Sequence, residues 1–187
     1  REFVVVIADV SNPISPRWLA AFLLAASLLS SGVRADTFEA DSTKAGFIFN
    51  FIKYAEWPPT ALPAGHLTVC STSDQPLSGK LEALHGRTAQ GREIRVRTAV
   101  RPGEWRDCQV LFIAAAEAQR IDAVLRSTSL QPILTVSDAP GFIQAGGIIG
   151  LKLQDERIRF VINHGTAKQS GLKLSSQLLR LADEILQ

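Results

Sequence analysis

The chain has 187 residues, 46% of them hydrophobic and 20% charged, with a formal net charge of +2. That is ordinary globular composition, with room for one domain that buries its own core without metal or a dense disulfide net. Three of the 20 basic and two of the 18 acidic residues fall within residues 1–35, leaving +1 on the rest; with no clustered basic stripe, nucleic-acid binding is not expected.

The first element is a leader. Trp18 to Leu29 is a short uncharged apolar run behind Arg17, and Ser30-Ser31-Gly32-Val33-Arg34-Ala35 follows it. The small residues Val33 and Ala35 suit signal-peptidase cleavage before Asp36. The run is shorter than the ~20 residues of a membrane span. An uncleaved anchor or a buried helix is the alternative. No Cys follows the expected cut, so a lipoprotein anchor is not expected. Residues 17–35 are therefore read as a signal peptide, residues 1–16 as an upstream extension, and 36–187 as the folded domain.

From Thr43 to Ala55 the spacing predicts a helix. Ile48, Phe51, Ile52 and Ala55 share one face, with Phe47 and Tyr54 on another. So wide an apolar surface argues for a helix gripped on two sides, ended by Pro58-Pro59. His66–Cys70 predicts a strand and Leu77–Leu84 a helix. Arg92–Arg97 alternates charged and apolar, as a strand with one wet side near a sheet edge does. Val110–Ile113 and Ile133–Val136 predict buried strands, with a helix over Ala116–Leu125 between them and a turn over Ser137–Gly141. Ile148–Leu153 and Arg157–Ile162 flank Gln154-Asp155-Glu156 as a hairpin, though without an Asn-Gly or Asp-Gly turn. Ser175 reads as the N-cap of a last helix reaching Ile185, with Leu178, Leu181, Ala182 and Ile185 as its inward stripe. The order gives an α/β fold: one domain, a mixed β-sheet with helices on both faces, then a C-terminal hairpin and helix.

Catalytic signatures are missing. His66, His85 and His164 fall in no metal-binding spacing, and there is no Gly-x-Ser-x-Gly elbow. No cofactor is implied, and an enzyme is not expected. Gly146-Gly147 lies in a glycine-rich stretch that lacks the Lys-Ser/Thr of a phosphate loop. It reads as a bulge or positive-φ turn, or as a backbone wall that a ligand or partner approaches. Trp57, beside the double proline, reads as core or as a binding platform. Cys70 and Cys108 read first as one disulfide in an oxidising compartment, with two buried thiols as the alternative. One difficulty stands: Cys70 ends its strand and Cys108 begins its own. Parallel, in-register strands would set the sulfurs several residues apart, at about 3.3 Å each, against the ~7 Å that a disulfide tolerates between Cα atoms.

Lys44-Ala45-Gly46-Phe47-Ile48-Phe49-Asn50-Phe51-Ile52-Lys53-Tyr54-Ala55-Glu56-Trp57-Pro58 resembles the first helix of the YfiR family of periplasmic regulators. In the same order, Cys108–Ile113, Ile133–Asp138, Gly141-Phe142 with Gly146–Ile149, Arg159–Asn163 and Gly171–Ala182 resemble that family's later segments. The resemblance covers about residues 43–183. It implies a periplasmic regulatory binding protein that inhibits a membrane-anchored diguanylate cyclase through the cyclase's periplasmic domain, lowering cyclic di-GMP signalling. It also implies an outer-membrane lipoprotein as a second partner, a homodimer, and disulfides. The alternative is a periplasmic small-ligand binding or sensor domain, its pocket lined by the aromatic helix and the glycine turn. Trp57, Gly146, Gly147, Asn163 and His164 are the candidate partner or ligand surface.

Overall fold

The computed structural model describes residues 32–63 and 65–187. The extension expected at 1–16 and all but the last four residues of the leader expected at 17–35 lie outside them. Two compact units divide the chain at Thr37 and Phe38. Of the first unit, Gly32–Thr37 are described, and they are helical. The rest concerns residues 38–187.

The aromatic helix, α1 (Gly32–Tyr54), buries Ile48, Phe51 and Ile52 at the predicted helical spacing, and Ala45 a turn earlier; Ala55, expected on the same helical face, is buried in the strand that follows. Phe47, Phe49 and Tyr54 are half-buried against the same core. Helix ends leave carbonyls without intrahelical donors. Here the Gln90 side chain donates to the carbonyls of Ile52 and Ala55, and the Ser175 N–H donates to that of Tyr54. The chain then leaves the helix through β1 (Ala55–Glu56), which pairs with β9 (Lys173–Leu174).

The main sheet has eight strands in the order β10-β8-β7-β6-β5-β2-β4-β3. They are β2 (His66–Ser71), β3 (Thr88–Ala89), β4 (Arg92–Arg97), β5 (Val110–Ile113), β6 (Leu134–Ser137), β7 (Ile149–Gln154), β8 (Arg157–Asn163) and β10 (Glu184–Leu186). β4, β2, β5, β6 and β7 run parallel, while β3 and the β8–β10 pair run the other way. As the alternation of Arg92–Arg97 predicts, β4 lies near an edge, with the two-residue β3 alone beyond it among the described residues.

Strand alternation splits the core in two. Leu67, Val69, Val110, Phe112, Leu134, Val136, Ile149, Phe160 and Ile162 face one way, under α1 and α2 (Pro76–Leu81). Phe160 packs on Phe51 and Phe47, with ring centroids 5.0 and 5.7 Å apart. Each such ring contact adds about 0.5–1.5 kcal/mol beyond burial itself. Cys70, Leu111, Ile113 and Ile133 face the other way, under α3 (Ile121–Thr128) and the loop carrying Phe142 and Ile143. Helices thus lie on both faces, as expected. Lys44 clamps the layers: its Nζ lies 2.7 Å from Asp138 Oδ2, while Asp138 Oδ1 accepts from the Ala115 N–H at 2.9 Å.

Several expected elements differ. The helix expected over Leu77–Leu84 is α2 followed by the 3-10 turn Glu82–Leu84, and that expected over Ala116–Leu125 is the 3-10 segment Ala115–Arg120 followed by α3. The last helix, α5 (Ser176–Leu181), stops four residues short of Ile185, although Ser175 does cap it by accepting from the Leu178 N–H. Ala182 is extended, the Asp183 N–H donates to the Phe160 carbonyl, and Glu184–Leu186 pairs with β8 as β10. A longer helix would leave the backbone of β8 unpaired at the sheet edge, and sheet pairing overrides the helical spacing. Leu181 and Ile185, read as inward, are 65% and 38% exposed.

The disulfide resolves the register difficulty. Cys70 and Cys108 are bonded, with Cα atoms 5.9 Å apart. β2 and β5 are parallel, with Cys70 opposite Leu111. Cys108 precedes β5 and caps the 3-10 turn Pro102–Asp107, whose Trp105 packs in the same core layer as Cys70. The bond joins a strand to the turn folded over it, not two strand ends.

Intact mass without reduction is expected to show no free thiol, and two alkylatable cysteines would overturn the bond. Reduction is expected to lower stability by about 4 kcal/mol, the loop-closure value for a separation of this size. At the hairpin tip Asp155 and Glu156 both have positive φ, 48° and 59°. That is the primed turn that two-residue hairpins favour, here made without glycine. Replacing Glu156→Gly is expected to stabilise by about 0.5–1 kcal/mol in urea unfolding.

Candidate functional site

Trp57 is 6% exposed, and its Nε1–H donates to the Gln109 carbonyl at 3.1 Å. It lines none of three surface cavities, of about 780, 580 and 470 Å³, among the described residues. Gly146 takes φ +98° in the turn before β7. Gly147 has a different reason to be glycine: a Cβ there would lie 2.2 Å from the Phe142 ring. The pair is thus both the expected positive-φ turn and a close packing contact, the contact being internal.

Asn163 and His164 do meet a common feature. Asn163 ends β8, and its Oδ1 accepts from the Thr166 N–H at 2.9 Å, capping α4 (His164–Gln169). Leu186 of β10 pairs beside Asn163. A Cβ on Gly165 would come within 2.9 Å of the backbone of Gln187. The start of α4 and the end of β10 therefore fit against each other through a residue with no side chain. This junction, and the β10 edge that runs from it, is the candidate contact surface.

The edge has the makings of a protein interface. Along its outer side β10 has no neighbouring strand among the described residues, so its backbone groups there are free to pair. Leu181 and Ile185 are exposed beside it. Asp183, between them, is ion-paired with Lys152 and lies 3.5 Å from Arg159. The hydrogen bond from Lys152, helped by the nearby Lys152 and Arg159 charges, holds the Asp183 carboxyl below its ordinary range. Apolar side chains bordered by charge are what an interface core and rim require. Sequence reasoning missed this surface because it placed Leu181 and Ile185 on the inside of a helix.

Chemistry does not converge here. Among the described residues no group of three His, Cys, Asp or Glu side chains could hold a metal ion. No described helix is long and apolar enough to cross a membrane. His66 and His85 both line an open groove of about 780 Å³, which His164 does not line. Burial, and then the Lys168 charge, push the His164 pKa below the ordinary 6.5. The unfolded chain therefore takes up this proton at a higher pH than the folded one. Its contribution to stability is lost as pH falls from about 6.5 through the folded value. An NMR titration is expected to place His164 below 6.5 and to move it upward in Lys168→Gln; a value at or above 6.5 would contradict this environment.

Two solved structures share the fold. A conserved domain protein from Vibrio cholerae O1 biovar El Tor aligns at TM-score 0.50 and 13% identity, over 78% of this chain and 60% of its own. An ABC domain from Streptococcus pneumoniae, solved in complex with L-Trp, aligns at TM-score 0.51 and 13% identity, over 74% of this chain and 59% of its own. The chain thus spans about three fifths of each, and at this identity the likeness is one of fold. A family model described as YfiR/HmsC-like matches residues 41–183. That span begins within α1 and closes at Asp183, taking in the disulfide, the glycine turn and every strand except β10, and the chain belongs to the YfiR/HmsC-like family.

Proposed function

We propose that this protein is a periplasmic regulator that holds a membrane-anchored diguanylate cyclase inactive by binding the cyclase's periplasmic domain through the β10 edge. Family membership supports the periplasmic regulatory role. The observation that carries the contact surface is the free edge of β10 with Leu181 and Ile185 exposed beside it. An extended segment of the partner can add a strand there, its backbone supplying affinity and apolar contacts with Leu181 and Ile185 supplying fit. The Lys152–Asp183–Arg159 group at the rim steers and orients that encounter. An outer-membrane lipoprotein competing for the same edge would release the cyclase, and a second copy of the chain could occupy it in a homodimer.

A small-ligand role loses the place expected for it, because Trp57 is core and lines no cavity. It keeps two observations in its favour: Gly146 of the glycine turn lines a cavity of about 580 Å³, and an open groove lies over the start of β2 and β5 and the second half of β4.

Pull-down from periplasmic extract is expected to recover an inner-membrane cyclase, and deletion of the gene to raise cyclic di-GMP. Unchanged cyclic di-GMP on deletion would count against the regulatory role. Leu181→Asp with Ile185→Asp is expected to weaken capture at least tenfold, about 1.4 kcal/mol or more. Since Leu181 is largely exposed, its change should leave stability within about 0.5 kcal/mol. Full capture by the double variant would move the interface off β10.

A further inference from the structure

The layer under α3 covers only part of its sheet face. Over the start of β2 and β5 and the second half of β4, an open groove of about 780 Å³ remains. That volume falls in the range of small-molecule sites. The turn Thr60–Pro63 and the segment Gln131–Ile133 line it, as do Arg106 to Cys108 of the turn tethered by the disulfide.

Its floor is polar and fixed. Thr68 and Gln109 are only 6% and 5% exposed. Gln109 Oε1 accepts from the Thr68 N–H at 2.8 Å, and its Nε2 donates to the Ala61 carbonyl at 3.1 Å. Its backbone donates to the Thr68 carbonyl and accepts from Trp57 Nε1. Gln109 is thus held by Thr68 on β2, by Ala61 in the turn, and by Trp57 and Leu134 in the core behind it. A side chain so restrained presents a constant surface to anything entering.

The groove is rich in donors. Arg95 stands beside Thr68 in the β2–β4 register, with its side chain on the same face. Arg97 is ion-paired with Glu104 and lies 3.9 Å from Asp107. Neither Arg95 nor Arg106 joins an ion pair among the described residues, and both line the groove. His85 accepts the Val96 N–H through Nδ1, so its Nε2 is left as the donor nitrogen. Against these stands one lining carboxylate, Asp107, which is largely exposed and turned to Arg97.

We propose that this groove binds a small organic or inorganic oxyanion, a carboxylate or a phosphate, clamped between Arg95 and Arg106 above the Thr68–Gln109 floor. A guanidinium matches either oxyanion through paired N–H donors, and two of them confer more than a point charge would. The site is five strand spacings from β10, roughly 24 Å across the sheet. Ligand and partner can therefore bind together, and the failure of either reading leaves the other standing.

The test is calorimetry and amide-shift mapping on the purified, oxidised protein, titrated separately with inorganic phosphate and with succinate. One of the two is expected to saturate and to move the Thr68, Arg95 and Gln109 amides; which one does so identifies the oxyanion. Arg95→Gln and Arg106→Gln are each expected to weaken it roughly tenfold or more, as loss of a charged hydrogen bond does. Their unliganded melting temperatures should match the parent, so a loss of binding reports the clamp rather than unfolding. Absence of saturable binding by either probe would overturn the proposal. So would shifts centred elsewhere, or undiminished affinity in both variants.

Discussion

An eight-stranded sheet presents two apolar faces, and the described residues offer one long helix to cover them. α1 answers for one face through Ile48, Phe51 and Ile52, and its grip extends to Phe160 on β8. Burying each of these side chains stabilises by about 1.5–3 kcal/mol, before the entropy of ordering them. The opposite face is covered piecemeal by α3, the 3-10 turn at Pro102–Asp107 and the loop through Phe142. Piecemeal cover leaves a gap, and the gap is polar. Strand positions that would need leucine under a helix are Thr68 and Arg95 where the sheet is bare.

The disulfide and Trp57 belong to this same economy of cover. Each attaches a short irregular segment to the sheet where no helix could be fitted. Cys108 fastens the 3-10 turn to β2. Trp57 fastens the chain after α1 to the carbonyl of Gln109. Short turns bury too little apolar area to stay in place by packing alone, so a covalent bond and a buried indole hydrogen bond take over part of that task.

The sequence was legible where one period dominated. Ala45, Ile48, Phe51 and Ile52 spell α1, and Val110–Ile113 spells β5, because burial on one or both faces leaves no ambiguity. It held at Leu178 and misled at Leu181 and Ile185. Their helical spacing is real, yet only Leu178 is buried, since the edge of β8 needs a strand more than the core needs another helical turn. The candidate contact surface was hidden by that same competition. The turn at Asp155-Glu156 carried no glycine to announce its positive φ. His66 and His85 looked solitary because only the pairing of β2 with β4 brings their ends of the chain to one groove.

The contact between Phe51 and Phe160 joins residues at opposite ends of the domain. β2 likewise waits for β4 and β5, and β8 for the last residues of the chain. Such distant pairings make for slow assembly, because loops must close before any contact rewards them. During synthesis, α1 emerges with its apolar stripe bare and finds its aromatic partner only after more than a hundred further residues. Until then Ile48 and Phe51 have only part of the surface that buries them, so the helix gains most of its stability last.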